Sequence, residues 1–497
     1  MKRIIVILAA LAVILPVNAQ SVKKDLPVSK ADERSAVDLT IYNANLALVR
    51  EERTLNLQKG ISSLVISDIP ATIDGTSLHF LSTTAPDAVR VLEQNYQYDL
   101  VSQAKLLNKY VGQTVEWIRV EPGTNKEYTV QGKLLSSGYV QNQAYATGGM
   151  IAEINGKIEI NPGGRLILPQ LPDGLILKPQ LEWLIENTRA GRHQAEISYL
   201  AHQMTWSANY VALLDKDDKN LSLTGWVTIS NSCGTSFTNA GLKLVAGDVN
   251  VVEPEVNEGY MAKAQAAYDR ASAPQFKESG LFEYHMYSLQ RRTDVMNDET
   301  KQIELVTANS VSAQKMFVYD GMADQWRYWR HNYGYREQGS LGQQSNPKVG
   351  VYVTFKNSEK NDLGIPLPKG KVRVYKRDDD GKEQFVGEDQ IDHTPKDEQL
   401  RLYMGNAFDL VGERVQKDFK VIVSGHIYDE SFEIKIRNHK DEDVTVHVYE
   451  HPWRWSEWEI TRSSSEWTKV DQTTIQFPVT IPKNGEKVIT YTVRYKW

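Results

Sequence analysis

From Val37 onward, apolar and polar residues alternate with a period of two. Leu39, Ile41, Leu46, Leu48, Leu55 and Leu57 have polar neighbours, as strands with one buried face require. Ile61–Ile66 and Leu78–Phe80 continue the series and predict a hairpin-rich sheet. One helix is expected over Ser102–Tyr110, capped by Ser102 and ended near Gly112. Short strands then return at Thr114–Val120, Tyr128–Leu135, Gly149–Ile154, Gly156–Ile160 and Arg165–Leu168, divided by Pro-Gly and Asn-Gly turns. Their spacing predicts a small barrel of five strands.

Pro169, Pro172 and Pro179 mark a boundary, after which longer strands are expected at Ala195–Leu200, Ser207–Leu214 and Leu221–Ile229. An Ala-rich stretch within 250–279 favours helix without an apolar stripe and reads as an insertion or linker. Strands resume at Leu281–Leu289, Gln302–Thr307 and Gln314–Tyr319. A second insertion, 320–347, is rich in Gly, Arg and aromatic residues. Strands then recur to the end of the chain, at Val349–Phe355, Val372–Tyr375, Phe419–Val423, Phe432–Arg437, Val444–Tyr449 and Lys487–Tyr495. Three of them end alike, at Asn231, Asn357 and Asn438. Asparagine accepts the turn conformation that follows strands in immunoglobulin- and fibronectin-like sandwiches. The expected fold is therefore mainly β, with such sandwiches, one small barrel-like domain and few helices. The expected layout is 37–101, 102–172, 173–310 and 311–497, after a flexible lead-in at 20–36.

The first residues change the picture of where this fold matures. Met1-Lys2-Arg3 precedes fourteen apolar residues, Ile4–Val17, and then Asn18-Ala19. That order predicts a secretory signal over 1–19 with cleavage after Ala19. No later apolar run has membrane-spanning length. Losing Lys2 and Arg3 takes the net charge from -6 to -8, which speaks against nucleic acid as a partner. The single cysteine, Cys233, cannot form an internal disulfide and reads as a small buried residue. The location expected is the periplasm or cell surface of a bacterium.

The blocks Trp206-Ser-Ala-Asn-Tyr210, Leu223-Thr-Gly-Trp-Val-Thr228, Leu244-Val-Ala-Gly-Asp-Val249, Pro366-Leu-Pro-Lys-Gly370 and His393-Thr-Pro-Lys-Asp-Glu398, with Tyr42-Asn43 and Leu46–Arg50 near the start, resemble the bacterial family called domain of unknown function 4139. The resemblance implies an exported, β-rich protein and brings no catalytic residue with it. Cys233 stands where the family pattern is Asn-x-Ser-Gly, which argues against a required thiol.

Candidate chemistry is thin. His447-Val-Tyr-Glu-His451 matches an inverted zinc-protease signature, but that motif works on a helix. On the strand implied by Val444, Val446 and Val448, the two histidines are roughly 13 Å apart. Gly364–Lys371 fails as a phosphate loop because prolines replace its N–H donors. Asp378–Gly381 lacks the first and last carboxylates of a calcium loop and reads as a turn. His393, Asp397 and Glu398 are the alternative candidates for acid–base catalysis in a hydrolase or metal-assisted enzyme. No cofactor or metal is expected. The positive signal is aromatic. Trp326, Tyr328, Trp329, Tyr333 and Tyr335 fall in the second insertion, and Trp453, Trp455 and Trp458 follow a strand. Trp, Tyr and Arg carry interface hot spots, and their rings stack on sugars. The expectation is a non-enzymatic binding or structural protein whose partner is an envelope protein or a glycan, in an oligomeric state that the sequence leaves open.

Overall fold

Alternation in the sequence becomes alternation of burial. Trp206, Ala208, Tyr210 and Ala212 are buried along Met204–Leu214, and Leu221, Leu223, Val227 and Ile229 along Asn220–Asn231. A strand with one face on a core has no other way to place a period-two pattern. The computed structural model describes residues 27–139, 148–172, 174–247, 275–323, 325–331 and 345–496. The signal expected at 1–19, most of the Ala-rich insertion, and Tyr333 and Tyr335 lie outside these. Among the described residues the protein is mainly β, with two α-helices, Gln103–Tyr110 and Gln325–His331.

The described chain forms two units, one from residues 27–35, 52–71 and 79–197, the other from 36–51, 72–78 and 198–496. In the first, Gln180–Asn187 lies between Gly60–Ser67 and Val89–Gln97, antiparallel to both. It buries Leu181, Trp183 and Ile185. The segment expected as a flexible lead-in is ordered where it is described. Val28–Ser29 pairs in parallel with Val65–Ile66, and buried Arg53 donates to the carbonyls of Ser29 and Ser67 (3.2 Å each).

The five-stranded region of this unit runs in the order Lys157–Ile160, Ile151–Ile154, Glu127–Ser136, Thr114–Val120, Arg165–Ile167. Arg119, on Thr114–Val120, donates to Glu159 (2.5 Å) of the strand at the far end of that order and to the Gly163 carbonyl (3.1 Å) just before the last strand. Helix Gln103–Tyr110 starts as expected, with Ser102 Oγ accepting the Lys105 N–H, and Gly112 follows it at φ 86. Its Leu107 and Tyr110 share a core with Val115, Trp117, Leu134, Ala152 and Ile154.

In the second unit, Glu299–Asp320 is one strand of 22 residues where two were expected. It changes partners midway. Residues up to Ser312 pair with Asn220–Asn231, and those from Ala313 pair with Lys348–Lys356 and, in parallel, with Val444–Glu450. Bulges in the first pairing absorb the change of twist, so the chain need not break. Beyond Lys348–Lys356 come Gln399–Val423, Ile427–Asn438, Glu486–Lys496 and Trp458–Ser463. Thr474–Ile481 pairs with Val444–Glu450. Their inner faces enclose one core that includes Phe317, Tyr319, Phe432, Val446, Phe477 and Tyr491. Tyr319 lies flat on the opposite strand at Gly412, where a Cβ would fall 2.0 Å from the ring. The same unit contains a parallel pairing of residues 38–42 with 241–245, which buries Leu39, Ile41, Leu242 and Leu244.

Candidate binding site

His393, Asp397 and Glu398 occupy the turn between Glu383–Ile391 and Gln399–Val423. Asn357, fully buried at the end of its strand, organises that turn. Its Nδ2 donates to the carbonyls of Ile365 (2.7 Å), Pro395 (2.9 Å) and Thr394 (3.4 Å), and its Oδ1 accepts the Gly364 N–H (3.0 Å). The Asp397 N–H bonds the Asn357 carbonyl (2.6 Å), and the Glu398 carbonyl accepts the Asn357 N–H (2.9 Å). His393 Nδ1 accepts the Lys369 N–H (3.2 Å). The turn thus takes backbone from Asp397 and Glu398, whose side chains are exposed.

The other two strand-ending asparagines repeat this bracket. Asn231 Nδ2 donates to Thr235, Val295 and Met296 carbonyls, and its Oδ1 accepts the Cys233 N–H. Asn438 does the same with Glu442, Ile481, Pro482 and the Lys440 N–H. A fourth, Asn187, bonds the Gln58 and Arg189 carbonyls and the Arg189 N–H, a member that sequence reading missed. Cys233 is buried beside this bracket, and burial pushes its thiol up to about 11. It is protonated and inert at neutral pH.

One serine–histidine contact exists that sequence did not signal. Ser82 Oγ and His193 Nδ1 are 3.0 Å apart, both residues are buried, and His193 Nε2 meets the Arg189 carbonyl at 2.8 Å. Ser82 Oγ also accepts the Ala85 N–H. A nucleophile must reach its substrate, and this one is enclosed.

The aromatic segments of the second unit do converge. After Glu299–Asp320, Asp320 Oδ1 accepts the N–H groups of Met322 (3.0 Å) and Ala323 (2.8 Å) and turns the chain into helix Gln325–His331. The helix brings Trp326 onto His451, stacked with centroids 4.6 Å apart, and Trp329 onto Trp453 at 5.5 Å. His451 Nε2 meets Asp320 Oδ2 at 3.1 Å, so one carboxylate serves both the turn and the ring beneath the helix. Trp326 and Trp329 are half-buried, whereas Tyr328 is 64% exposed. Trp453 is buried, and Trp455 and Trp458 pack against the unit's own core. Tyr333 and Tyr335 fall outside the described residues.

Below this cover lie two buried ion pairs. Arg414 Nε donates to both oxygens of Glu450 (2.9 Å each), Tyr491 donates its hydroxyl to the same carboxylate, and the guanidinium lies 3.8 Å from the Phe432 ring centroid. Arg454 grips Glu430 through two bonds of 2.9 Å, and Gln416 adds a third (2.6 Å). Burial opposes the charge on Arg414, but the Glu450 carboxylate outweighs it and holds the guanidinium above its ordinary pKa. Burial pushes the Tyr491 phenol well up, so it keeps its proton to donate. Sequence reading met Glu450 only inside the rejected zinc motif and gave none of these four charged residues a structural role, because nothing in a strand pattern distinguishes an inward Glu or Arg from a solvated one. His447, the first histidine of the rejected zinc motif, sits on Val444–Glu450 and contacts Gln476, while His451 contacts Asp320 and Thr473.

Among the described residues no helix is long and apolar enough to cross a membrane. Compared with known proteins, residues 195–497 match the family described as Domain of unknown function (DUF4139). The motifs near Tyr42 and Leu46 precede the matched span. No curated protein matches the chain.

Proposed function

The chain belongs to the family Domain of unknown function (DUF4139), and from that premise we propose that it is an exported bacterial envelope protein that binds a partner without catalysis, through the surface of helix Gln325–His331. The Met1–Ala19 pattern supports export to the periplasm or cell surface. The observation that carries the reading is the division of labour on the helix. Trp326 and Trp329 are seated on His451 and Trp453, and this fixes the helix while Tyr328 faces outward between Arg327 and Arg330. A rigidly held aromatic flanked by arginines binds at small entropic loss. The occupied carboxylates of the same unit favour binding over acid–base chemistry.

Tyr328 is largely exposed, so the thermal midpoint of Tyr328→Ala should stay close to the wild-type value. Recovery of the identified protein or glycan partner, cross-linked in the envelope fraction, should fall about tenfold, the effect of losing one aromatic hot spot. Equal recovery by Tyr328→Ala and wild type would remove this surface from consideration. Turnover by the wild type in a broad hydrolase screen, abolished in His393→Ala, would replace the reading with an enzymatic one.

A further inference from the structure

A second surface lies on the outer face of the same curled sheet. Tyr352 and Tyr403 stand opposite each other on paired strands, with ring centroids 5.2 Å apart. Gly350 makes room for them, since a Cβ there would meet Tyr352 Cε2 at 2.9 Å and Tyr403 Cε2 at 3.4 Å. The Tyr403 hydroxyl donates to Asn406 Oδ1 (3.0 Å), which fixes its ring. Arg401, one residue pair along, lays its guanidinium 4.0 Å from the Tyr352 centroid and 5.7 Å from that of Tyr449. Gly350 pairs with Val318, and Val318 with His447, which carries the face across to Val444–Glu450.

Most cations near this face are tied down. Arg414, Lys417, Lys435, Arg437, Arg454 and Arg494 each pair with a carboxylate. Arg401 is exposed, lies against the rings of Tyr352 and Tyr449, and has no carboxylate partner among the described residues. The nearest acid in the platform, Asp389, has its two oxygens on the N–H groups of Tyr403 (2.7 Å) and Gln390 (2.8 Å). Stacking uses the faces of a guanidinium and leaves its N–H edge pointing outward, the edge that grips a carboxylate bidentately.

We propose that Arg401, Tyr352, Tyr403 and Tyr449 form a binding site for an acidic saccharide, with Arg401 on the carboxylate of a uronic acid and the tyrosines against its ring. The Tyr352–Tyr403 spacing is close to the length of one sugar ring, and a uronate carries its charge on that ring. An acidic peptide would use Arg401 and leave the three rings without a role. Nucleic acid needs a row of cations, and Arg401 is the one cation that stacks on these rings. The site uses no residue of helix Gln325–His331.

Calorimetric titration of the purified protein tests this with four probes: tetragalacturonate, its fully methyl-esterified form, tetraglutamate and inorganic phosphate. Tetragalacturonate should bind, and the neutral ester about tenfold or more weakly, because it forfeits the charge-assisted bonds. Arg401→Gln should bring the acid down to the level of the ester, and Arg401→Lys should keep only part of the difference. Tyr403→Ala should weaken acid and ester alike, by about fivefold for one stacked ring. Tyr328→Ala should leave all four titrations unchanged, so failure here does not touch the helix surface and failure there does not touch this one. Absence of heat at millimolar tetragalacturonate overturns the proposal. So does equal affinity for acid and ester, or indifference to Arg401→Gln. Tetraglutamate or phosphate binding as tightly as the saccharide would show a site that reads charge alone and would overturn the assignment to a sugar.

Discussion

At Asn231, Asn357 and Asn438, an amide side chain satisfies main-chain groups that a strand leaves unpaired where it stops. Each Nδ2 faces carbonyl oxygens, and each Oδ1 faces a peptide N–H, with no exposure to water that could replace them. Losing such a group therefore removes more than its own bonds, because the carbonyls stay buried. Asn438→Ala should lower unfolding free energy by about 2–4 kcal/mol, from several orphaned groups at 1–3 kcal/mol each with partial relaxation. Asn438→Asp should be no better, since a carboxylate oxygen would then face the carbonyls of Ile481 and Pro482. Urea unfolding measures both, and a loss under about 1 kcal/mol, one ordinary hydrogen bond, would show the bracket to be dispensable.

Among elements, the strand that defines the second unit is also the one least visible in sequence. Gln399–Val423 runs for 25 residues, yet its alternation fades after Leu402 and its last four residues are exposed. Glu383–Ile391 is exposed along most of its length. Their β structure comes from pairing with neighbours, and a pattern reader sees only side chains that never needed to be apolar. Only Phe419–Val423 stood out, because Val421, Ile422 and Val423 are apolar, though all three are in fact exposed. Strands buried on one face, such as Asn220–Asn231 and Ile427–Asn438, were legible for the opposite reason. The candidate site divides in the same way. Its aromatic residues could be named from sequence, but the contact of Trp326 with His451 links positions more than a hundred residues apart and belongs to topology. Between elements, the Arg414–Glu450 pair ties Gln399–Val423 to Val444–Glu450. Glu450→Ala should destabilise the protein by about 3–5 kcal/mol, because it strands a buried guanidinium. Glu450→Ala together with Arg414→Met should recover much of that loss. Chemical denaturation of the three variants decides it, and a double variant no better than the single one would refute the stranded-charge account.

For the whole molecule, the family match and the folded unit do not coincide. Residues 195–497 carry the match, but the unit that contains most of them also takes in 36–51 and 72–78. Residues 241–245 need the parallel partner at 38–42, and without it Leu242 and Leu244 lose the cover of Leu39 and Ile41. The 195–497 polypeptide produced alone should bind a hydrophobic dye and unfold at a lower temperature than the same residues within the full chain, by burial lost at about 25 cal/mol per Å². A cleanly folded, dye-silent 195–497 would show that the N-terminal strand is an accessory.

That one parallel pairing also sets a clock. Val37, Leu39 and Ile41 are synthesised more than two hundred residues before the strand that covers them. Leu46–Leu57 can pair with one edge at once, but until then the other edge stays open, the kind of segment that slows folding and invites association with other chains. The second unit cannot finish folding while the chain is still being made up to Val245, whatever the speed of its local hairpins. Its earliest residues depend on a holding factor, or on the first unit folding meanwhile, to stay available for their late partner.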